Sequence, residues 1–377
     1  MKITFSLLSL IISWLFFSTP MLSTAQSAEP EHIVLTWKKD PSHSQSVTWR
    51  TSLKLELPIA QVSVASSVGS ITAHDQTYQA TIQEIKSLVG KSYYYYSVTF
   101  EGLKPGRIYR YRVGEIGNKM SEWNQFTTAD NTNAPYSFIY LGDIQNEVLA
   151  WGSRTIRAAY AKAPKAGFML FAGDLINDGH QDSQWIEWFE SLSHIRTMKS
   201  IVPVIGNHEY DTYPNDPNEE KISMFWRPQF ELPLNGPKGL EESVYYMDYK
   251  NMRLVVLNSL AALKSPEDLQ VQSNYLDKVL ADNPQKWTVV SFHHPFFTAR
   301  DGRHGKRWMD RAAVNTQLYQ VITIDGDLLQ YRAYTVLDEL YDAFDLQKQN
   351  SSFNLFTEHI STPKYPENSF PNGSTLR

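Results

Sequence analysis

The 377-residue chain contains no cysteine. That excludes a disulfide-stapled fold and any Cys-ligated zinc or iron–sulfur site. It has no positive excess either: 35 Lys+Arg stand against 40 Asp+Glu, a formal charge of −5. A nucleic-acid binder of the strongly basic kind needs the opposite balance. No window beyond the first residues approaches about 18 consecutive apolar residues, so no later membrane span is expected. The chain also lacks a Gly-rich P-loop, a Gly-x-Ser-x-Gly nucleophile elbow and internal repeats. What it does have is 42% hydrophobic and 13% aromatic residues with 20% charged ones, which excludes a disordered chain. The length suits about two domains.

Residues 1–25 read as a secretory signal peptide. Lys2 precedes the apolar run Ile3–Phe17, and Ser23-Thr24-Ala25 supplies small residues for cleavage. The expected location is therefore secreted or periplasmic, with an uncleaved N-terminal anchor as the alternative.

Residues 30–130 carry strand and turn signals. Ile33–Trp37 and Ser46–Arg50 flank the turn-rich Asp40-Pro-Ser-His43. Ser92–Phe100 includes four consecutive tyrosines. In Tyr109–Val113, Tyr109, Tyr111 and Val113 alternate with Arg110 and Arg112, the period of a half-buried strand. Short strands at this spacing predict an all-β sandwich. The segment resembles a fibronectin type III module, and also the N-terminal domain of purple acid phosphatases. A generic adhesion or sugar-binding module is the alternative. Asp130–Pro135 is the candidate linker.

From Tyr136 the rhythm changes. Apolar strands end in Gly142-Asp143, Gly173-Asp174 and Gly206-Asn207-His208-Glu209, with helical stretches at 151–162 and 184–198 between them. Later strands are expected over 243–249, 252–258 and 287–292, with a helix near 267–280. Alternating β and α units predict an α/β layered domain over 135–348. Ligand chemistry in such folds gathers beyond the carboxyl ends of the strands. Asp143, Asp174, Asn207 and His293 all fall there. As a donor set they suit Fe, Mn or Zn better than calcium. The spacings of 31 and 33 residues between Asp143, Asp174 and Asn207 each fit one strand–helix–strand unit. In the same pocket His208 could donate a proton to a leaving oxygen, with Glu209 orienting it.

Together GDIQ (142–145), GDLINDG (173–179), GNHE (206–209) and FHHP (292–295) resemble the signature of the metallophosphoesterase, or calcineurin-like phosphoesterase, superfamily. With the β module in front, the chain is similar to a bacterial purple acid phosphatase-like protein. The resemblance implies a four-layer αββα domain and a dinuclear metal centre activating hydroxide for attack on a phosphoric monoester. It implies Asp143 as a ligand of the first metal, Asp174 as the bridge, and Asn207 and His293 as ligands of the second. It assigns His208 to the phosphate and leaving group, and places His304 near a substrate-facing histidine of the family. For His304 an ordinary loop histidine remains the alternative.

Three positions depart from the family pattern. Asn177 stands where purple enzymes carry an iron-bound tyrosine, so the purple colour is not expected. Gln145 stands where relatives carry histidine; its amide can ligate weakly or only hydrogen-bond. The closing Gly-His-x-His motif, which gives each metal a histidine, is missing from the whole chain. The segment after His293 jumps to an expected hairpin, Leu318–Tyr334, turning at Asp325-Gly326-Asp327. The implied domain therefore lacks a segment near its C-terminal end. The alternatives to a phosphomonoesterase are a catalytically impaired relative serving as a binding or surface protein, and a phosphodiesterase. Pro214–Glu220 reads as a surface excursion near the site mouth. Phe225, Trp226 and Phe230 either line a cleft or pack that excursion. Residues 349–377 read as a weakly ordered tail.

Overall fold

The computed structural model describes residues 26–67, 75–295, 317–350 and 353–359. The expected signal peptide, His304 and most of the expected tail lie outside them.

Eight strands open the chain: β1 (Glu31–Thr36), β2 (Ser44–Thr51), β3 (Ile59–Val64), β4 (Gln76–Gln79), β5 (Thr81–Lys86), β6 (Ser92–Glu101), β7 (Ile108–Gly114) and β8 (Asn124–Thr127). They form two antiparallel layers, β4-β3-β7-β8 and β1-β2-β6-β5. Tyr96, Tyr109, Tyr111 and Val113 meet Trp49 and Phe100 between the layers. Tyr93 and Tyr95 point the other way and join the core of the following domain. A strand buried on both faces loses the simple apolar–polar alternation, which explains the unbroken tyrosine run.

The α/β part contains β9 (Tyr136–Leu141), α1 (Ser153–Lys162), β10 (Phe168–Phe171), α2 (Asp182–Leu192) and β11 (Ser200–Pro203). A hairpin of β12 (Tyr210–Tyr213) and β13 (Asp216–Ile222) and the short α3 (Trp226–Gln229) follow. Next come β14 (Tyr245–Tyr249), β15 (Met252–Val256), α4 (Ser259–Lys264), α5 (Pro266–Ala281) and β16 (Trp287–Ser291). The chain closes with β17 (Leu318–Asp325), β18 (Leu328–Thr335), β19 (Leu340–Gln347) and β20 (Leu355–Glu358).

Two sheets face each other. The larger has the order β20-β19-β18-β17-β9-β10-β11-β1-β2-β6-β5; the smaller is β14-β15-β16. The first module is thus not a closed-off sandwich: parallel pairing of β1 with β11 at Leu35 and Ser200 makes one of its layers continue the α/β sheet. Phe138 stacks on Phe168 at 4.8 Å, and Phe168 meets Tyr249 of the small sheet at 5.1 Å. On the opposite face Phe171 meets Trp188 of α2 at 5.9 Å. Met252, Leu254 and Val256 turn toward the large sheet. The intervening Arg253 donates to the Val279 carbonyl of α5 at 3.1 Å. The order helix, sheet, sheet, helix is the expected αββα layering. Pro266 opens α5, and the Ser265 hydroxyl accepts from Asp268 N at 3.1 Å, a helix start that satisfies an otherwise orphaned donor.

One expectation is met, one is decided between its two alternatives, and one changes. The 214–220 excursion is part of the β12–β13 hairpin, mostly exposed. Phe225, Trp226 and Phe230 are fully buried and pack with Trp185 and Trp188, so they build core rather than line a cleft. The tail is not structureless throughout, because β20 pairs antiparallel with β19. The small sheet has three strands among the described residues, and β16 forms its edge.

Candidate metal centre

Parallel pairing of β9, β10 and β11 puts their carboxyl ends along one edge. Asp143 lies two residues past β9, Asp174 three past β10, Asn207 four past β11, and His293 two past β16. The loops are locked to one another: Asp143 N donates to the Gly173 carbonyl and Ile144 N to the Asp174 carbonyl, both at 3.2 Å. Asp143 and Asp174 sit at φ 52° and 53°, a left-handed conformation that aspartate tolerates better than most residues. Gly173, at φ 88°, has a further reason to be glycine. A Cβ there would come within 2.7 Å of His293 Nδ1 and 2.8 Å of Gly206 Cα. The sequence signal of glycine before each ligand is therefore about close approach as much as tight turning.

Asp143, Asp174 and His293 each offer a ligand atom, and these atoms lie within 4.8 Å of one another. Asp174 is buried and Asp143 exposed. His293 Nδ1 meets the Ala172 carbonyl at 2.9 Å, so that nitrogen carries the proton and donates. Its Nε2 then faces two oxygens, Asp174 Oδ2 at 3.2 Å and Asn207 Oδ1 at 3.1 Å. Burial alone would lower the His293 pKa, but the Asp174 carboxylate outweighs it and pushes it up to about 9. For Asp174 burial opposes ionisation, while His293 and the His208 N–H hold its carboxyl below the usual range. A nitrogen lone pair aimed at two oxygens suits a proton or a cation equally well.

Gln145 donates Nε2 to Asp174 Oδ2 at 3.2 Å, while its buried Oε1 has no donor among the described residues. That orphaned oxygen beside a carboxylate, together with the His293 arrangement and the mixed O/N donor set, fits a divalent cation. The residues that would hold it are Asp143, Asp174, Asn207, His293 and Gln145.

His208 sits beside this cluster, its Nε2 at 3.9 Å from Asp174 Oδ2. Its Nδ1 meets the Asn177 carbonyl at 2.6 Å, so Nε2 is the end turned to the site. Asn177 contributes through its backbone, while its side chain donates to Gln145 O and Asn146 Oδ1, both at 3.2 Å. Glu209 does not orient His208. It is fully buried and accepts from Asp174 N at 3.0 Å, Leu175 N at 2.7 Å and Gly206 N at 2.6 Å. Burial, with the Asp174 charge, pushes its carboxyl up to about 7. Its job is to hold two ligand loops in one piece.

Beside Asp143 a cavity of about 510 Å³ is lined by Tyr140, Asn146, Thr155, Gln317 and Gln320 as well as His293. Gln317 carries a second buried amide oxygen without a donor among the described residues. Sequence reasoning missed Gln317, because a lone glutamine at a strand start carries no signal. His304 lies outside the described residues.

The fold and this donor cluster define a metal-dependent phosphoesterase class of domain. The model of the calcineurin-like phosphoesterase family matches residues 136–343, and the chain belongs to that family. Residues 30–128 match the purple acid phosphatase N-terminal domain. The structure is similar to a purple acid phosphatase, PPD1, from seeds of yellow lupin (Lupinus luteus). The TM-score is 0.66 at 13% identity, covering 85% of this chain and 75% of that one. That likeness is one of fold. A predicted phosphoesterase from Streptococcus pneumoniae TIGR4 matches at TM-score 0.29 and 12% identity, over 60% of this chain and 99% of that one. The family implies divalent metal ions and a phosphate ester substrate.

Proposed function

We propose that the chain is a metal-dependent phosphoric monoester hydrolase, exported through its N-terminal signal. The observation that carries this is the shared orientation of His208 and His293. Each commits Nδ1 to a backbone carbonyl, so both Nε2 atoms turn to the Asp174 carboxylate. A bound cation (Fe, Mn or Zn) would offset phosphate charge and lower the pKa of a water toward neutrality. The chain's own residues supply the rest. Asp143, Asp174, Asn207 and His293 fix the position of the charge-bearing centre. Protonated His208 holds a proton at Nε2 for the departing ester oxygen. Glu209 keeps the Asp174 and Gly206 loops from separating.

A second reading is a catalytically impaired relative, favoured by the missing Gly-His-x-His and by the neutral lining beside Asp143. Hydrolysis of p-nitrophenyl phosphate by purified protein with added Mn, Zn or Fe separates the two. The first reading predicts turnover that Asp174→Ala abolishes. No turnover with any of the three metals sinks it.

A further inference from the structure

We infer that this site holds one cation per chain, not the pair that its family resemblance implies. The inference rests on the metal-dependent reading above but makes a separate claim. Its first support is the donor inventory. The chain has ten histidines, and none lies in a Gly-His-x-His sequence. Among the described residues His293 brings a ring nitrogen to 3.2 Å and 3.1 Å from the Asp174 and Asn207 oxygens, while His208 Nε2 stands 3.9 Å from Asp174. His294 Nδ1 is instead at 2.9 Å from Ser259 Oγ, and His359 pairs with Asp345 at 2.9 Å.

The second support is geometric. The ligand atoms of Asp143, Asp174 and His293 converge within 4.8 Å of one another, and Asn207 Oδ1 lies 3.1 Å from the same His293 nitrogen. That makes four side chains about one point, with Gln145 beside them, its Nε2 now on Asp174 Oδ2 at 3.2 Å. Four donors, with water completing the shell, suffice for one first-row cation. Divided between two cations sharing Asp174, they leave each with two or three side chains, and fewer ligands bind more weakly.

The third support is the place where further ligands would have to stand. The cavity beside Asp143 is lined by the neutral groups of Tyr140, Asn146, Thr155, Gln317 and Gln320. Among the described residues it holds no carboxylate besides Asp143 and no imidazole besides His293. Neutral amides and hydroxyls offset little of a second double charge. They suit the uncharged, hydrogen-bonding portion of a phosphate ester better.

The test is metal content of the full chain after equilibration with excess Mn2+ and gel filtration, read by elemental analysis and electron paramagnetic resonance. One manganese per chain with the hyperfine pattern of an isolated ion is expected. His293→Ala should then lose the ion entirely, whereas in a two-cation site it would drop from two to one. Should His293→Ala fail to fold, by circular dichroism, Asp143→Asn makes the same comparison at an exposed position. Two ions per chain, an exchange-coupled spectrum, or no retained manganese each overturns the inference. A single ion without p-nitrophenyl phosphate turnover would uphold it and sink the proposed function; two ions with turnover would do the reverse.

Discussion

The two sides of Asp174 are built differently. On one side His293, Asn207 and His208 converge, and buried Glu209 ties the Asp174 loop to the Gly206–His208 loop through three backbone N–H bonds. On the other side Asp143 is exposed and borders an open cavity lined by neutral groups. The difference follows from what sits behind each side. The first is backed by β10, β11 and α2, with Phe171, Trp185 and Trp188 fully buried. The second adjoins β17, beyond the point where the sequence jumps from His293 to the closing strands. A domain of this family can thus hold a buried central carboxylate between a hydrogen-bonded flank and a flank whose described lining is neutral. The fixed flank is the one whose side chains are also structural.

That contrast can be broken in several ways. The largest effect belongs to Asp174. Asp174→Ala should reduce p-nitrophenyl phosphate turnover by at least about a thousandfold and abolish manganese retention, since it removes the buried carboxylate about which the other donors gather. The next largest lies outside the site. Arg50, with its side chain 1% exposed, donates to Glu31 at 2.8 Å, to Tyr95 at 3.1 Å and to Asp182 at the start of α2. Arg50→Ala leaves the Asp182 carboxylate without its main partner and should cost about 3–5 kcal/mol in urea unfolding. Metal stoichiometry of the surviving fold should not change.

Glu209→Gln comes third. It places an amide N–H2 against backbone N–H donors and should cost about 1–3 kcal/mol. Because Glu209 holds only the Asp174/Gly206 side, this variant should weaken manganese binding more than Gln317→Ala does. Equal effects on affinity would dissolve the distinction between the flanks.

A pH series on metal-free protein sharpens the same point. Folded His293 is pushed up to about 9 from its ordinary 6.5, so its contribution is complete below pH 6.5 and is lost as pH rises through 9. Folded Glu209, pushed up to about 7 from 4.5, also holds its proton longer than the unfolded chain. Both signs predict a thermal midpoint that falls between pH 5 and 9. Bound manganese, taking the place of the His293–Asp174 proton, should flatten the upper part of that fall. The smallest effect is at the far edge of the large sheet. Truncation before Phe353 removes β20, whose four residues are all exposed, and should cost less than about 1 kcal/mol.

Much of this was legible in the sequence because each ligand follows a strand, and Asp143, Asp174 and Asn207 also follow a glycine. Asp143, Asp174, Asn207 and His293 could be placed at one sheet edge from spacing and resemblance. The helical stretch at 184–198 marked α2, and Asp325-Gly326-Asp327 marked the β17–β18 turn. The continuity of the two domains' sheets was not legible. It depends on a parallel pairing between β1 and β11, about 165 residues apart, and side-chain patterns do not encode which edges meet. Glu209's role was misassigned for a related reason. A glutamate next to a candidate catalytic histidine looks like its partner, but backbone donors do not show in a sequence. Phe225, Trp226 and Phe230 were ambiguous because an aromatic cluster lines a cleft or fills a core with the same residues.

The most direct test of the account is p-nitrophenyl phosphate turnover followed as manganese is titrated into metal-free protein, beside His208→Ala at the same loading. The account predicts turnover that rises from zero with bound metal, and a His208→Ala rate about a hundredfold or more lower with metal content unchanged. Metal that binds while turnover stays at zero, in wild type and variant alike, would contradict it.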